Sequence, residues 1–163
     1  MKYFIVACTA LASPAFASSV DIVGNVAAKC VIQSAKAGVY GNPTADVLST
    51  SPSDGGVLPV IRIDVAIADT YVANITYPTS FTSSPSLTDS VAWTGSTAVT
   101  QTSDAGMSGY DAAKTVAGST TTYNLTIAGS TWFSTASTAT YAVNKPFTGG
   151  TYVAQVTASC IPA

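Results

Sequence analysis

Four stretches of this chain alternate apolar side chains with polar or small ones at a period of two, and that period describes a half-buried β-strand rather than a helix. Along residues 60–68, Ile61, Ile63, Val65 and Ile67 alternate with Arg62, Asp64, Ala66 and Ala68. Residues 71–77 repeat the pattern through Tyr71, Ala73, Ile75 and Tyr77, and residues 120–128 through Tyr123, Leu125 and Ile127. Near the end of the chain Tyr152, Ala154, Val156, Ala158 and Cys160 share one face. Successive side chains of a strand point to opposite faces, so each stretch names the residues expected in a core. Composition agrees with this. All eight acidic residues are Asp and none is Glu; Asp favours turns, Glu favours helices, and the abundant Thr, Ser and Val favour strands.

Turn residues punctuate these runs. Residues 38–43 read as a turn, 49–56 (S-T-S-P-S-D-G-G) as a loop in which Asp54-Gly55-Gly56 is a turn, and 78–89 as a Ser-, Thr- and Pro-rich loop. Pro59 can only precede a strand. Asp69-Thr70 makes a tight connection that predicts a hairpin between 60–68 and 71–77. Val91 and Trp93 anchor a short strand ending at Gly95, residues 98–118 read as loop with one short strand, and 132–133 and 140–143 as short apolar pieces. Seven to nine strands separated by turn signals predict an all-β, immunoglobulin-like β-sandwich.

Residues 1–17 read as a cleavable signal peptide, with Lys2, an apolar run over 3–11 and Ala15-Phe16-Ala17 as a small-x-small cleavage site. The apolar run is far shorter than the roughly 20 residues of a spanning helix, and no membrane span is expected. Residues 29–163 are expected to form a single β-sandwich domain. Of the three cysteines only Cys30 and Cys160 survive signal removal. An oxidising compartment favours pairing them, the alternative being two free thiols.

The chain contains no histidine, which excludes histidine triads and histidine metal sites. Arg62 is the only arginine and acidic residues outnumber basic ones, so nucleic acid is not an expected partner. Asp104 and Asp111 lie in a Gly-rich segment, but their spacing matches no calcium loop and they read as solvated turn residues. Asn74-Ile75-Thr76 and Asn124-Leu125-Thr126 fit the glycosylation pattern inside expected strands and are taken as structural. Trp93, Trp132 and the tyrosines offer either core or a sugar-binding face. No catalytic residue, metal or cofactor is expected, and the chain is not expected to be an enzyme.

Directly behind the signal lies S-S-V-D-I-V-G-N-V-A-A-K-C, where Val20, Ile22, Gly24 and Val26 fall on one face of an extended strand. One reading makes this the first strand of the protein's own sheet. The other makes it a strand for a second subunit. This strand, a cysteine four residues after it and a final strand introduced by G-G-T-Y together resemble subunits of chaperone-usher pili, nearest in style to the archaic branch with spore-coat-U-type domains. The resemblance implies an incomplete immunoglobulin-like sandwich that a donor strand completes. Residues 18–28 would then be the donor-strand extension, with Val20, Ile22 and Val26 plugging pockets in a neighbour and Gly24 permitting close backbone approach. It further implies a secreted pilus or fimbria subunit contributing to adhesion or biofilm, in the periplasm in transit and then at the cell surface. Its partners would be itself, a periplasmic chaperone and an outer-membrane usher. The alternative function is a closed, disulfide-linked extracellular β-sandwich that binds carbohydrate or another surface.

Overall fold

Strand-forming alternation organises the chain into ten strands among the residues described by the computed structural model, 29–66, 69–142 and 145–163. They are β1 (Cys30–Lys36), β2 (Gly41–Thr44), β3 (Val47–Ser49), β4 (Val60–Val65), β5 (Tyr71–Thr76), β6 (Val91–Thr102), β7 (Thr115–Ala117), β8 (Thr120–Leu125), β9 (Gly129–Tyr141) and β10 (Thr157–Pro162). The only helical pieces among these residues are two short 3-10 turns, Pro52–Asp54 and Ala105–Gly109. The first ends on Gly55, whose φ of 77° lies in the left-handed region that a side chain disfavours, as expected of the Asp54-Gly55-Gly56 turn. The signal segment, the 18–28 extension with Val20, Ile22, Gly24 and Val26, and Ile67 and Ala68 lie outside the described residues.

The strands form two antiparallel sheets, the expected all-β sandwich. Central to the first sheet is β9. One edge pairs with β6 from Val91↔Tyr141 to Thr102↔Thr131; the other pairs first with β4 and then, further along, with β3. Where β9 passes from β4 to β3, the Thr135 amide donates to the Pro59 carbonyl (3.2 Å) and the Thr50 amide to the Ser137 carbonyl (3.0 Å), so the ladder has no unsatisfied gap. β1 adds to β4 as an outer strand and β2 adds to β3. The second sheet runs β10-β5-β8-β7.

The core lies where the apolar faces meet. Ile63 and Val65 of β4 and Phe133 of β9 face Tyr71, Ala73 and Ile75 of β5 and Tyr123 and Leu125 of β8, all nearly inaccessible to water. Tyr123 and Phe133 pack with ring centroids 4.7 Å apart. Burying each large side chain is worth about 1.5–3 kcal/mol, which makes these faces the main source of cohesion.

Three expectations need correction. Residues 60–68 and 71–77 do not form a hairpin: β4 pairs with β1 and β9 in one sheet, β5 with β10 and β8 in the other, and the chain crosses between layers. Alternation names a buried face but not a partner, and opposing two such faces across the core satisfies both. Val143 lies outside the described residues, but the fragment at 132–133 and the first two residues of 140–143 belong to one 13-residue strand, β9, which ends at Tyr141. Its inward positions include Thr131, Thr135 and Ser137, which broke the apolar pattern but are buried with hydrogen-bond partners, Thr135 Oγ1 lying 3.3 Å from Thr97 Oγ1 and the Ser137 amide donating to Thr50 Oγ1 (2.8 Å). Finally, β6 runs seven residues beyond Gly95, with an irregularity between Val99 and Gln101.

Candidate functional site

Two stacked sheets leave two seams along their edges, and the chain treats them differently. At the first seam, β6 faces β7 and β8, and the connection 103–114 fills the space between. Asp104 caps the Ala105–Gly109 turn by accepting from the Gly106 amide (2.7 Å). This directs Met107 and Tyr110 into the core, 1% and 8% exposed. The Tyr110 hydroxyl accepts from the Thr126 and Ile127 amides at 2.9 and 3.0 Å.

The free edge of β6 is satisfied by side chains at the same place. Asp111 Oδ1 accepts from the Val99 amide (2.9 Å) and from Lys114 Nζ (3.0 Å), while Lys114 Nζ and the Tyr123 hydroxyl both donate to the Thr97 carbonyl, at 2.8 and 2.9 Å. Burial works against the charge on Asp111, but the Val99 amide, Lys114 and the Tyr123 hydroxyl together hold its carboxyl below the usual range. Burial, with Asp111 adding to it, pushes the Tyr123 phenol up. Asp104 and Asp111 therefore serve backbone groups of this seam, and among the described residues no cluster of three metal-ligating side chains occurs.

The second seam is open. Here, among the described residues, β1 pairs only with β4 and faces β10 and the residues before it, which pair only with β5 and, through the Ser83↔Val153 bridge, with the 78–89 loop. Two strand edges thus confront each other with no partner among the described residues. Cys30 and Cys160 join them by a disulfide at one end, with Cα atoms 6.3 Å apart. Beyond the bridge the flanks part around a cleft of about 770 Å³. Ile32, Tyr40, Leu48 and Ile61 line one side, Tyr152, Ala154, Val156 and Ala158 the other. Among the described residues Lys36 is the one charged residue on its walls. Ile32 faces the cleft with 39% of its surface still exposed, and β1 beyond Val31 is exposed throughout. At the floor the Tyr40 hydroxyl lies 3.1 Å from Ser137 Oγ, and burial raises its pKa despite that bond.

The wall at 150–156 has no sheet neighbour on the cleft side among the described residues, and aromatic packing supports it. Tyr152 lies 5.0 Å from both Phe81 and Phe147, and Phe81 packs on Trp93 at 4.7 Å. Val153 exchanges backbone bonds with the 78–89 loop: its amide donates to the Ser83 carbonyl (2.8 Å) and its carbonyl accepts from the Thr82 amide (2.7 Å). Trp93 is therefore part of this support. Trp132 lies under Arg62, whose guanidinium sits 5.5 Å from the ring centroid and grips Asp64 through two bonds of 2.7 and 2.6 Å. Asn74 Oδ1 accepts from Thr122 Oγ1 (2.7 Å), an interstrand contact on β5, while Asn124 is exposed.

Sequence reasoning found the 152–160 wall from its alternation but not the opposite one. Ile32, Tyr40, Leu48 and Ile61 come from four separate stretches, and only the inward position of Ile61 was marked by a period of two. Val20, Ile22, Gly24 and Val26 fall outside the described residues, so their relation to the cleft is a matter of inference. No family model, curated protein or solved structure matches this chain, and the cleft is interpreted from its own residues.

Proposed function

We propose that this protein is a non-enzymatic structural subunit of a secreted surface filament, a pilus or fimbria, assembled when one copy's 18–28 strand enters the open seam of another. The observation that carries this reading is the cleft between two strand edges that have no partner among the described residues. Unpaired edges and exposed apolar walls are costly and invite β-strand addition. An inserted strand bonds to both flanks through its backbone and buries alternate side chains between the sheets. The face formed by Val20, Ile22 and Val26 supplies those side chains, and Gly24 allows the backbone closest approach. The Cys30–Cys160 disulfide suits an oxidising compartment. On this reading a periplasmic chaperone shields the cleft before an outer-membrane usher passes the subunit to the filament, which serves adhesion or biofilm.

The test is assembly of the chain beginning at Ser18. It should form concentration-dependent oligomers that excess 18–28 peptide converts to monomers, and Ile22→Asp should keep the chain monomeric. Oligomers indifferent to both, or a monomer at all concentrations, would contradict the proposal.

A further inference from the structure

The cleft that carries the filament reading has a second chemical property, independent of any strand that fills it: its charge is one-sided. Acidic residues outnumber basic ones in the chain, yet among the described residues no Asp lines the cleft and Lys36 is the one charged side chain on its walls. β1 begins at the disulfide and ends at Lys36, so this ammonium stands at the end of the cleft remote from the bridge. From there an apolar row leads back through Ile61 and Val156 to Ile32 and Ala158. The hydroxyls on the floor are tied to the protein itself. The Tyr40 hydroxyl lies 3.1 Å from Ser137 Oγ, and Thr50 Oγ1 donates to the Ser137 carbonyl (3.3 Å) and accepts from the Ser137 amide (2.8 Å). Lys36 is the group left to hold an anion.

We propose that this cleft is also a binding site for a free alkyl carboxylate, a single-chain fatty acid, with its carboxylate at Lys36 and its chain lying toward the Cys30–Cys160 bridge. A cleft of about 770 Å³ falls within the size range of small-molecule sites, which combine apolar walls with a few well-placed polar groups. A bilayer surface is not the source, because that takes a cluster of basic side chains and here there is one. The chain covers Ile32, 39% exposed, and withdraws its own methylenes from water. Each methylene so buried tightens binding about fourfold. From Lys36 back to Ile32 the strand rises about 13 Å, so the gain ends once the chain reaches the bridge. A fatty acid carries no amides, so it leaves the backbone groups of both edges to water, where an inserted strand would bond them. It is therefore a reversible competitor of the strand, a placeholder that keeps the cleft covered and delays assembly.

The test is calorimetric titration of the chain from Ser18 carrying Ile22→Asp, whose own strand does not compete, with octanoate, decanoate and dodecanoate below their micelle concentrations and dodecyltrimethylammonium as the cationic control. Affinity for the carboxylates should rise about fourfold per methylene. Lys36→Glu should weaken decanoate about fivefold and strengthen the cation, while Ile32→Asp should weaken dodecanoate more than octanoate. Excess 18–28 peptide should displace all three carboxylates. Carboxylates that do not bind, or that bind with the length dependence but ignore both substitutions, would overturn the site; if the peptide still binds, the filament reading stands without it. A peptide that binds and leaves decanoate in place would overturn it as well. Carboxylates that meet the length and substitution tests while the peptide does not bind would uphold the site and remove the filament reading.

Discussion

The two seams of this sandwich begin from the same problem and end differently. At the seam beside β6, a single connection supplies Met107 and Tyr110 to the core, and its Asp111 and Lys114, with Tyr123 of β8, satisfy the free-edge backbone groups at Thr97 and Val99. At the seam beside β1, the only covalent link among the described residues is the disulfide, and Ile32 and the inward face of the 152–158 wall meet a cleft. The chain closes one edge with its own residues. Among the described residues nothing closes the other edge, which is the physical basis of the filament proposal.

The contrast can be broken first at the bridge. Cys30→Ser with Cys160→Ser should cost about 5 kcal/mol, the unfolded-state entropy of a loop closed across a separation of 130 residues, read as a drop in denaturant midpoint. An unchanged midpoint would mean that other contacts already hold the two edges together. At the closed seam, Met107→Ala should cost about 3 kcal/mol by leaving a cavity at a fully buried site, without changing affinity for the 18–28 peptide. Any effect on peptide binding would show that the seams communicate.

Asp111→Asn should have a smaller effect, about 1 kcal/mol at pH 7, because water screens the exposed part of the carboxylate. The folded protein holds this carboxyl below its unfolded value of about 3.9, so its contribution is present above that pH and lost as the pH falls through the folded value. The stability gap between variant and parent should therefore narrow in acid; a gap that persists would assign the loss to packing. Smallest of all, Val156→Ala at the open seam should cost under about 1 kcal/mol in the empty domain, its side chain being only half-buried, yet it should weaken the peptide.

How much of this was legible in the sequence varied with the kind of signal. The faces of β4, β5 and β8 and the inward row from Tyr152 to Cys160 follow from period-two alternation, because burial on one side imposes it. β9 was hidden because its inward Thr131, Thr135 and Ser137 look polar, although hydrogen bonding within the sandwich makes them tolerable there. The partner of β4 was misread because a short connection can turn within a sheet or cross between sheets, and local residues do not distinguish the two. The far wall of the cleft was beyond local reasoning altogether. Ile32, Tyr40, Leu48 and Ile61 converge only through pairings among β1, β3, β4 and β9.

The most direct test of the central claim is the melting temperature of residues 29–163 with and without the 18–28 peptide. At a hundredfold excess over Kd the peptide should contribute about 2.7 kcal/mol, a rise of several degrees, and convert an aggregation-prone domain into a stable monomer. A domain that is monomeric alone and melts at the same temperature with the peptide would contradict the account, and would favour a closed, disulfide-linked binding module.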